Sequence, residues 1–178
     1  MHNKLWHNDP DCLMARNYEN PYERKIYGEN ICGIPWQDNF FGILDVEFNS
    51  WIKTLWMTSN MLLLSEVFDE LPKDRQKLID KCFTQLMRPV EYIDYYVDPE
   101  IVVLKTKINR NKNEPLIIGI FNMSDKTVKV EIPSKTVELK CWEFIEKFND
   151  ERFSGNGSLL SFPELMPRSS NIWVLKNM

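Results

Sequence analysis

Two aspartates near the start of the chain are the residues best suited to chemistry. Asp9 and Asp11 flank a rigid proline, and Cys12 follows them directly, in the segment Trp-His-Asn-Asp-Pro-Asp-Cys-Leu-Met-Ala-Arg at residues 6–16. Carboxylates hydrogen-bond substrates and act as nucleophiles or as general acids and bases. The pattern predicts polar groups at the end of a short strand, which is where α/β sheets and barrels bind their substrates.

The same segment also fits purely structural roles. Asn8 and Asp9 are typical of Asx-type turns, and Asp11 is typical of a residue that caps a following helix. A catalytic pair made of Asp9 and Asp11 themselves would need a surrounding pocket, which the neighbouring sequence does not encode. Both interpretations, substrate binding and local capping, stay open at the level of these residues alone.

The two histidines of the chain indicate neither a metal site nor a catalytic base. His2 and His7 lie close to the N-terminus, and their spacing from Asp9, Asp11 and Cys12 matches no zinc or calcium pattern. A nucleophilic cysteine needs a histidine that is held in place by a third group, and the sequence supplies none. We therefore expect no metal and interpret Cys12 as a residue that packs beside the site.

The elements that must position this segment change in character near residue 90. Before it, apolar residues at three- and four-residue intervals predict a helix of about five turns; they are Phe41, Leu44, Phe48, Trp51, Ile52 and Leu55. Residues 61–64 predict a strand of a parallel sheet, with Ser65 and Glu66 at its C-terminal end. A second helix is expected at about residues 74–87, with an apolar stripe of Leu78, Ile79, Cys82, Phe83 and Leu86. This order indicates an α/β architecture.

After residue 90, short runs of alternating apolar and charged residues are separated by turn residues. These runs predict strands at residues 101–104, 116–121, 128–132, 137–141 and 171–175. Several of the strands would bury one face and leave the other in water, which is typical of an antiparallel β-sandwich. We therefore predict a domain boundary between residues 89 and 90.

Aromatic side chains can stack on sugar rings, but most of those in this chain fall in core patterns. Phe48 and Trp51 share the stripe of the first helix, and such stripes usually pack in a core. Trp142 and Trp173 lie in strand patterns and are assigned to the core as well. Trp36 precedes the helix and lies outside its stripe, so it is the better candidate for a ligand contact from a loop.

The composition excludes several classes of function. The chain has 178 residues and a formal net charge of −4, with no basic run that could follow a phosphate backbone, so nucleic acid is not an expected partner. Its apolar runs are far shorter than the ~20 residues of a membrane helix, and its N-terminus lacks the apolar core of a signal peptide. Four scattered cysteines indicate no disulfide framework. We expect a cytoplasmic protein that does not bind membranes, with reduced and mostly buried cysteines.

Three blocks of the sequence resemble one enzyme family. Residues 6–16 resemble the signature near the seventh barrel strand of family 36 glycoside hydrolases, the bacterial and archaeal α-galactosidases, and the related family 27 carries a similar Asn-Asp-Pro-Asp. Residues 60–72 resemble the eighth strand and the loop behind it, with Glu66 where aspartate is usual. Residues 141–145, 151–153 and 165–170 resemble the β-sandwich that follows the barrel in this clan, clan D.

This resemblance implies a fold and a reaction. Residues 1–89 would form the last βα units of a TIM (β/α)8 barrel, and residues 90–178 a C-terminal antiparallel β-sandwich. The implied reaction is retaining hydrolysis of terminal α-galactosides without a metal or an organic cofactor. Asp11 corresponds to a residue that lines the galactose pocket, and Cys12 lies beside it. Asp9 and Trp36 complete the expected substrate-binding set.

The resemblance also implies that the catalytic residues are missing. A (β/α)8 barrel needs eight strands and typically ~250 residues, which residues 1–89 cannot supply. Retaining glycosidases work through two carboxylates, and in this family both are aspartates on the fourth and sixth strands, upstream of the Asn-Asp-Pro-Asp block. We therefore assign no catalytic residue and expect the chain to be inactive alone.

Two other hypotheses are compatible with these residues. In the first, the chain is a subunit of a split glycosidase that is completed by an N-terminal partner carrying the other strands, or it assembles as a homo-oligomer. In the second, it is a non-catalytic carbohydrate-binding or structural module. The expected ligand is a galactoside or another carbohydrate in each case.

Overall fold

The computed structural model of the chain describes residues 12–13, 30–31, 34–35, 45–58, 63–64, 68–82, 89–93, 100–106 and 114–176. The α-helices in these residues are α1 (Asp45–Thr58) and α2 (Lys73–Cys82). The strands are β1 (Cys12–Leu13), β2 (Asn30–Ile31), β3 (Ile34–Pro35), β4 (Leu63–Leu64), β5 (Val90–Tyr92), β6 (Ile101–Thr106), β7 (Ile117–Asn122), β8 (Glu131–Pro133), β9 (Cys141–Glu146), β10 (Arg152–Asn156), β11 (Leu159–Ser161) and β12 (Ser170–Leu175).

The first half of the chain contains one parallel strand pair. β1 pairs with β4, with Cys12 opposite Leu63 and Leu13 opposite Leu64. Because α1 lies between these strands in the chain, the arrangement is that of a βαβ unit. The predicted parallel strand is confirmed for Leu63–Leu64, and β2 and β3 form an additional short antiparallel hairpin. No closed barrel is formed by the residues that the structure describes.

The second half of the chain forms an antiparallel sheet of six strands, as the alternating pattern predicted. The strand order is β10-β9-β12-β7-β6-β5, so β12 at the C-terminus lies in the middle of the sheet between β9 and β7. A separate two-stranded sheet joins β8 and β11. The predicted strands at residues 101–104, 116–121 and 171–175 are confirmed as parts of β6, β7 and β12.

The six-stranded sheet is buried on both faces at its central strand β7. All six residues of β7 are buried, and successive side chains point to opposite faces of the sheet. Ile117 and Phe121 belong to a core with the two helices. Ile118 and Ile120 belong to a second core that includes Ile132 of β8 and the residues around β11. The helices, the six-stranded sheet and the two-stranded sheet therefore form three layers. The first core contains residues from both sides of the predicted boundary at residue 89.

Gly119 allows α1 to approach the sheet closely. A Cβ added at this position would overlap the Sδ of Met57 and lie 2.9 Å from a ring carbon of Phe121. Both neighbours are buried, so the added carbon cannot be accommodated without displacing packed side chains. The helical layer thus rests directly on the backbone of β7.

We expect Gly119→Ala to destabilise the fold by about 1–3 kcal/mol through this overpacking, as measured by urea unfolding. Met57→Ala should cost less in the Gly119→Ala background than in the natural chain, because it removes the overlapping atom. Strictly additive costs for the two substitutions would contradict this view of the helix–sheet contact.

The buried face of α1 differs from the predicted stripe. Phe48, Ile52 and Leu55 are buried as predicted, but Trp51 is 42% exposed, so its assignment to the core is wrong. The buried arc of α1 extends instead through Trp56 and Met57, because the helix packs against both α2 and the sheet. Phe41 and Leu44, which were predicted to share the stripe, lie outside the described residues.

The second helix follows its predicted stripe in the residues that the structure describes. Ile79 and Cys82 are buried and Leu78 is partly buried against the same core. The predicted continuation to residue 87, with Phe83 and Leu86, lies outside the described residues.

Two further strand predictions hold only in part. Of residues 137–141 only Cys141 lies in a strand, as the first residue of β9, because Ser134–Val137 makes a 3-10 turn that ends at Glu138, where φ is 57°. In the predicted strand at 128–132, only residues from Glu131 onward belong to β8, and Val128 makes an isolated bridge to Leu165. Trp142 and Trp173 are buried as predicted. Of the cysteines, Cys82 is buried but Cys141 is exposed.

Candidate functional site

The predicted substrate-binding residues lie mostly outside the described part of the chain. Asp9, Asp11 and Trp36 fall outside it. Cys12 is the first residue of β1, which begins directly after Asp11 in the sequence and pairs with β4. Their proposed contacts with a substrate therefore stay predictions.

The β1–β4 pair defines the edge at which such a site would lie. The two strands run parallel and in register, so their carboxyl ends meet at the same edge. In open α/β sheets and barrels this edge binds the substrate. Ser65 and Glu66 follow β4 directly in the sequence. The sequence analysis predicted these two residues at the C-terminal end of this strand.

A buried ion pair joins the helical layer to the sheet. Lys53 of α1 and Glu146 at the end of β9 are both buried, and their Nζ and Oε1 atoms are 3.0 Å apart. The Lys53 ammonium also donates to the carbonyl of Ser170, at 2.9 Å, and lies 5.4 Å from the centroid of the Phe148 ring. One lysine thus contacts strand β12, strand β9 and the turn that follows β9.

Backbone amides complete the coordination of the Glu146 carboxylate. Its Oε2 accepts hydrogen bonds from the N–H groups of Phe148 and Asn149, at 2.6 and 2.8 Å, and its Oε1 accepts from Ile172 at 3.1 Å. All these bonds are made by a fully buried side chain. Glu146 is therefore suited to holding the junction rigid.

A second charged contact connects the two helices. The Arg75 side chain of α2 is buried and forms an ion pair with Asp45, which is exposed at the start of α1. Its guanidinium lies 4.8 Å from the centroid of the Phe48 ring, a distance at which cation–π attraction contributes. Gln76 also fastens α2 to the preceding turn by donating to the carbonyls of Phe68 and Leu71.

The exposed side of α1 forms a groove with Met123 and Arg168 of the antiparallel half of the chain, here called the Trp51 groove. It has a volume of about 320 Å³ and is lined by Glu47, Ser50, Trp51, Thr54, Met123 and Arg168. Arg168, which precedes β12, donates to Asp125 at 2.7 Å and to Glu47 at 3.0 Å. Its hydrogen bond, and secondly its charge, hold the pKa of Asp125 below the ordinary value. Because Arg168 pairs with both carboxylates, it links Glu47 of α1 to Asp125.

A second groove, the junction groove, lies between α1 and residues 164–171. It has a volume of about 430 Å³. The residues that matter for its chemistry are Asn49 and Lys53 of α1 together with Glu164, Met166, Ser170 and Asn171. Hydroxyl, amide and carboxylate groups therefore line this surface together with Lys53 of the buried ion pair.

Metal binding and membrane insertion find no support in the described residues. Across residues 45–58, 68–82, 89–93, 100–106 and 114–176, no three His, Cys, Asp or Glu side chains converge as a metal site requires. Neither α1 nor α2, the helices that the structure describes, has the length and hydropathy needed to span a bilayer.

Sequence comparisons give no match, whereas the fold has many. No family model and no curated protein sequence matches the chain. Three of the similar solved structures are those of a family 27 β-L-arabinopyranosidase from Geobacillus stearothermophilus, an α-galactosidase from Mortierella vinacea and an α-amylase from Geobacillus thermoleovorans complexed with acarbose.

The similarity covers most of this chain but only part of each neighbour. For the arabinopyranosidase the TM-score is 0.65 at 14% identity, over 82% of this chain and 33% of that one. For the α-galactosidase the TM-score is 0.53 at 9% identity, over 75% and 36%. For the α-amylase it is 0.53 at 12% identity, over 74% and 34%. The chain thus spans about a third of the length of these glycosidases and shares the fold of that part.

The sequence analysis missed the junction, although two signals pointed to it. Lys53 interrupts the apolar run Trp-Ile-Lys-Thr-Leu-Trp-Met of α1, and Glu146 continues the buried register of Trp142 and Phe144 in β9. Each charge taken alone resembles an ordinary surface residue. Only the packing of α1 onto the sheet shows that the two charges neutralise each other.

Proposed function

We propose that the chain is the C-terminal part of a retaining glycoside hydrolase related to α-galactosidases. It would comprise the last two strands of a (β/α)8 barrel with their helices, followed by the β-sandwich. The observation that carries the proposal is the order β1, α1, β4, α2 with parallel pairing of β1 and β4, followed by an antiparallel sheet packed on those helices. About a third of each glycosidase neighbour has this fold.

The roles of the active-site residues in such an enzyme follow from the chemistry of retaining hydrolysis. One carboxylate forms a glycosyl-enzyme intermediate, and a second, roughly 5–5.5 Å away, protonates the leaving group and then activates water. We assign neither role to this chain. Asp11, with Cys12, Asp9 and Trp36 around it, would bind the sugar and orient its anomeric carbon, while the reacting aspartates would come from preceding strands.

In the same proposal, the strands that precede β1 have one of two sources. Within the described residues β1 pairs with β4 alone, and a parallel sheet is extended by strands that pair at its edges. The preceding strands would come either from upstream in the same polypeptide or from a separate N-terminal subunit. Both arrangements place the same residues at the same edge.

The test compares the 178-residue chain with the species recovered from its source cells. We expect no hydrolysis of 4-nitrophenyl α-galactopyranoside by the isolated chain, because it lacks both reacting carboxylates. The cellular species should hydrolyse this substrate, and denaturing mass spectrometry should show whether it is one long polypeptide or a complex. Aryl β-L-arabinopyranoside and α-glucoside, tested in parallel, determine which sugar is preferred.

Asp11→Ala in the active species should lower kcat/KM by about 10- to 150-fold, since a charged hydrogen-bonding group is removed from the sugar pocket. Asp69→Ala, which changes an exposed aspartate of the turn before α2, is the matched control and should leave activity unchanged. Turnover by the isolated chain would contradict its assignment as an incomplete barrel, and a cellular species inactive on all three glycosides would refute the proposed function.

A further inference from the structure

Two sides of α1 are covered by other elements of the described structure. Toward α2, Asp45 pairs with Arg75, whose guanidinium also lies over the ring of Phe48. Toward the antiparallel sheet, the Ser50 hydroxyl donates to one backbone carbonyl at 2.7 Å and the Lys53 ammonium donates to another at 2.9 Å. These contacts use two different faces of the helix, because about 3.6 residues make one turn.

A third side of α1 carries a row of residues that are all at least partly exposed. Its members follow one another at intervals of four, three and four residues, so they lie along one line of the helix. They are Glu47, Trp51, Thr54 and Thr58. Trp51 is 42% exposed and lines the Trp51 groove together with Met123, which is 52% exposed. Two large apolar side chains thus share one groove, which suits contact with another apolar surface.

The charges beside the Trp51 groove are already paired. Arg168 donates to Glu47 at 3.0 Å and to Asp125 at 2.7 Å. An apolar partner that covers the groove therefore leaves this cation with its counter-charges, whereas a buried charge without a partner would oppose docking. The groove thus favours the apolar face of a helix over a charged partner.

The order of the strands determines which element lies beside this row in a complete barrel. β1 and β4 are parallel and connected through α1, and α2 follows β4. Such connections are right-handed in nearly all proteins, so consecutive helices lie next to each other on one face of the sheet. In a (β/α)8 barrel each helix is therefore flanked by the helix before it and the helix after it. Since α2 is the helix after α1, the other flank of α1 belongs to the helix that leads into β1.

We propose that the side of α1 carrying Trp51 is the docking surface for the barrel helix that precedes β1. That helix would be amphipathic, with apolar residues at intervals of three and four that pack around Trp51 and Met123. The chain spans about a third of the glycosidase neighbours, so the helix would come from the part of that fold which these residues do not span. The proposal rests on the barrel architecture of the proposed function, and not on its sugar or its reaction.

The first test is hydroxyl-radical footprinting of the isolated chain and of the species recovered from its source cells. We expect Trp51 to be oxidised in the isolated chain and to lose most of this oxidation in the cellular species, because the docked helix covers its ring. Met166, which is 63% exposed in the junction groove, is the internal control and should be oxidised in both. Equal oxidation of Trp51 in the two samples would overturn the proposal, and so would a cellular species that consists of this chain alone.

A photo-cross-link identifies what covers Trp51. The photo-reactive residue p-benzoyl-phenylalanine, placed at position 51 in the source cells, should capture a peptide from outside these 178 residues. Mass spectrometry should show apolar residues at intervals of three and four in that peptide. The same reagent at position 159, on the two-stranded sheet, should not capture it. A cross-link to a second copy of the chain, or to a segment within its own 178 residues, would overturn the proposal.

One substitution made in both samples gives an independent readout. Trp51→Ala should change the unfolding temperature of the isolated chain by no more than about 2 °C, because the side chain is exposed there. It should lower the unfolding temperature of the cellular species, where the docked helix loses its apolar contact. Leu159→Ala, which changes an apolar residue exposed to a similar degree, should have the same effect in both samples. An equal effect of Trp51→Ala in both would contradict docking.

The outcomes separate this proposal from the proposed function. A cellular species that hydrolyses the aryl glycosides while Trp51 stays open to oxidation would refute the docking surface and leave the hydrolase intact. Protection of Trp51 by an upstream helix, in a species inactive on all three glycosides, would refute the hydrolase and leave the docking surface intact.

Discussion

Replacing Glu146 with alanine is expected to destabilise the folded chain by about 3–5 kcal/mol, because Lys53 would remain buried without its counter-charge. The substitution also removes the acceptor of three backbone N–H groups, those of Phe148, Asn149 and Ile172. Urea unfolding followed by circular dichroism measures this change. The loss should appear as a lower denaturant midpoint with an unaltered m-value.

Glu143→Ala provides the matched control on the same strand. Glu143 forms an ion pair with Lys176 at 3.0 Å, but both partners are substantially exposed. Surface pairs of this kind contribute roughly 0–1 kcal/mol, since water already solvates each charge. Similar costs for Glu143→Ala and Glu146→Ala would contradict the view that Glu146 joins the helices to the sheet.

A double variant separates the charge from the hydrogen bonds of this junction. Lys53→Met with Glu146→Gln removes both charges and retains one acceptor oxygen, which serves the N–H groups of Phe148 and Asn149, while that of Ile172 loses its acceptor. We expect it to be more stable than Lys53→Met alone, because that single variant leaves the Glu146 carboxylate buried without a cation. A double variant less stable than Lys53→Met would show that the pairing with Lys53 contributes little.

The second large effect is a loss of stability at alkaline pH that originates at Cys82. Burial in the core raises the pKa of this thiol from 9.0 to about 12, and the charges of Lys147, Lys53 and Lys81 offset only part of that rise. The unfolded chain releases this proton near pH 9, whereas the folded chain holds it until about pH 12. Between these values the unfolded state binds fewer protons, so stability falls as the pH rises.

The expected slope is about 1.4 kcal/mol per pH unit in this window, over and above the titration of other groups. Cys82→Ala should lose this component, so its stability relative to the natural chain should improve steadily from about pH 9 towards about pH 11. The measurement is urea unfolding at several pH values. Cys141→Ala, which changes an exposed thiol, should retain the full alkaline loss, and a parallel pH profile for Cys82→Ala would disprove the attribution.

The junction has consequences for how such a protein would work. In the proposed enzyme, α1 and α2 follow the strands that carry the sugar-binding residues, and the sandwich packs on these helices. Lys53 and Glu146 therefore connect the sandwich to the element between β1 and β4. The sandwich would then stabilise the sugar-binding edge without contacting the reacting bond.

The shared fold does not by itself identify the substrate. Structures named as an arabinopyranosidase, an α-galactosidase and an α-amylase share this part of the fold at 9–14% identity. One arrangement of helices and strands is therefore compatible with different sugars. The preference for galactosides in our proposal depends on the Asn-Asp-Pro-Asp-Cys segment, and the panel of aryl glycosides tests it directly.

The sequence by itself determined the elements that depend on local periodicity. The apolar stripe of α1, the parallel strand at Leu63–Leu64 and the alternating strands β6, β7 and β12 follow from spacings of about 3.6 and about 2 residues, because side-chain direction repeats with the backbone geometry. The assignment of Asp9, Asp11 and Trp36 to a sugar site also came from the sequence, and it stays a prediction together with the boundary at residue 89.

Only the tertiary structure decided which side of each element is buried and which charges are paired. Trp51 belongs to the predicted stripe but is exposed, because α1 packs on α2 and the sheet through Trp56 and Met57 instead. Lys53 and Glu146 lie far apart in the sequence, and their pairing exists only because helix and sheet bring them within 3.0 Å. Contacts between distant residues leave no periodic signal in a single sequence, so the junction and the groove above it emerged from the folded chain.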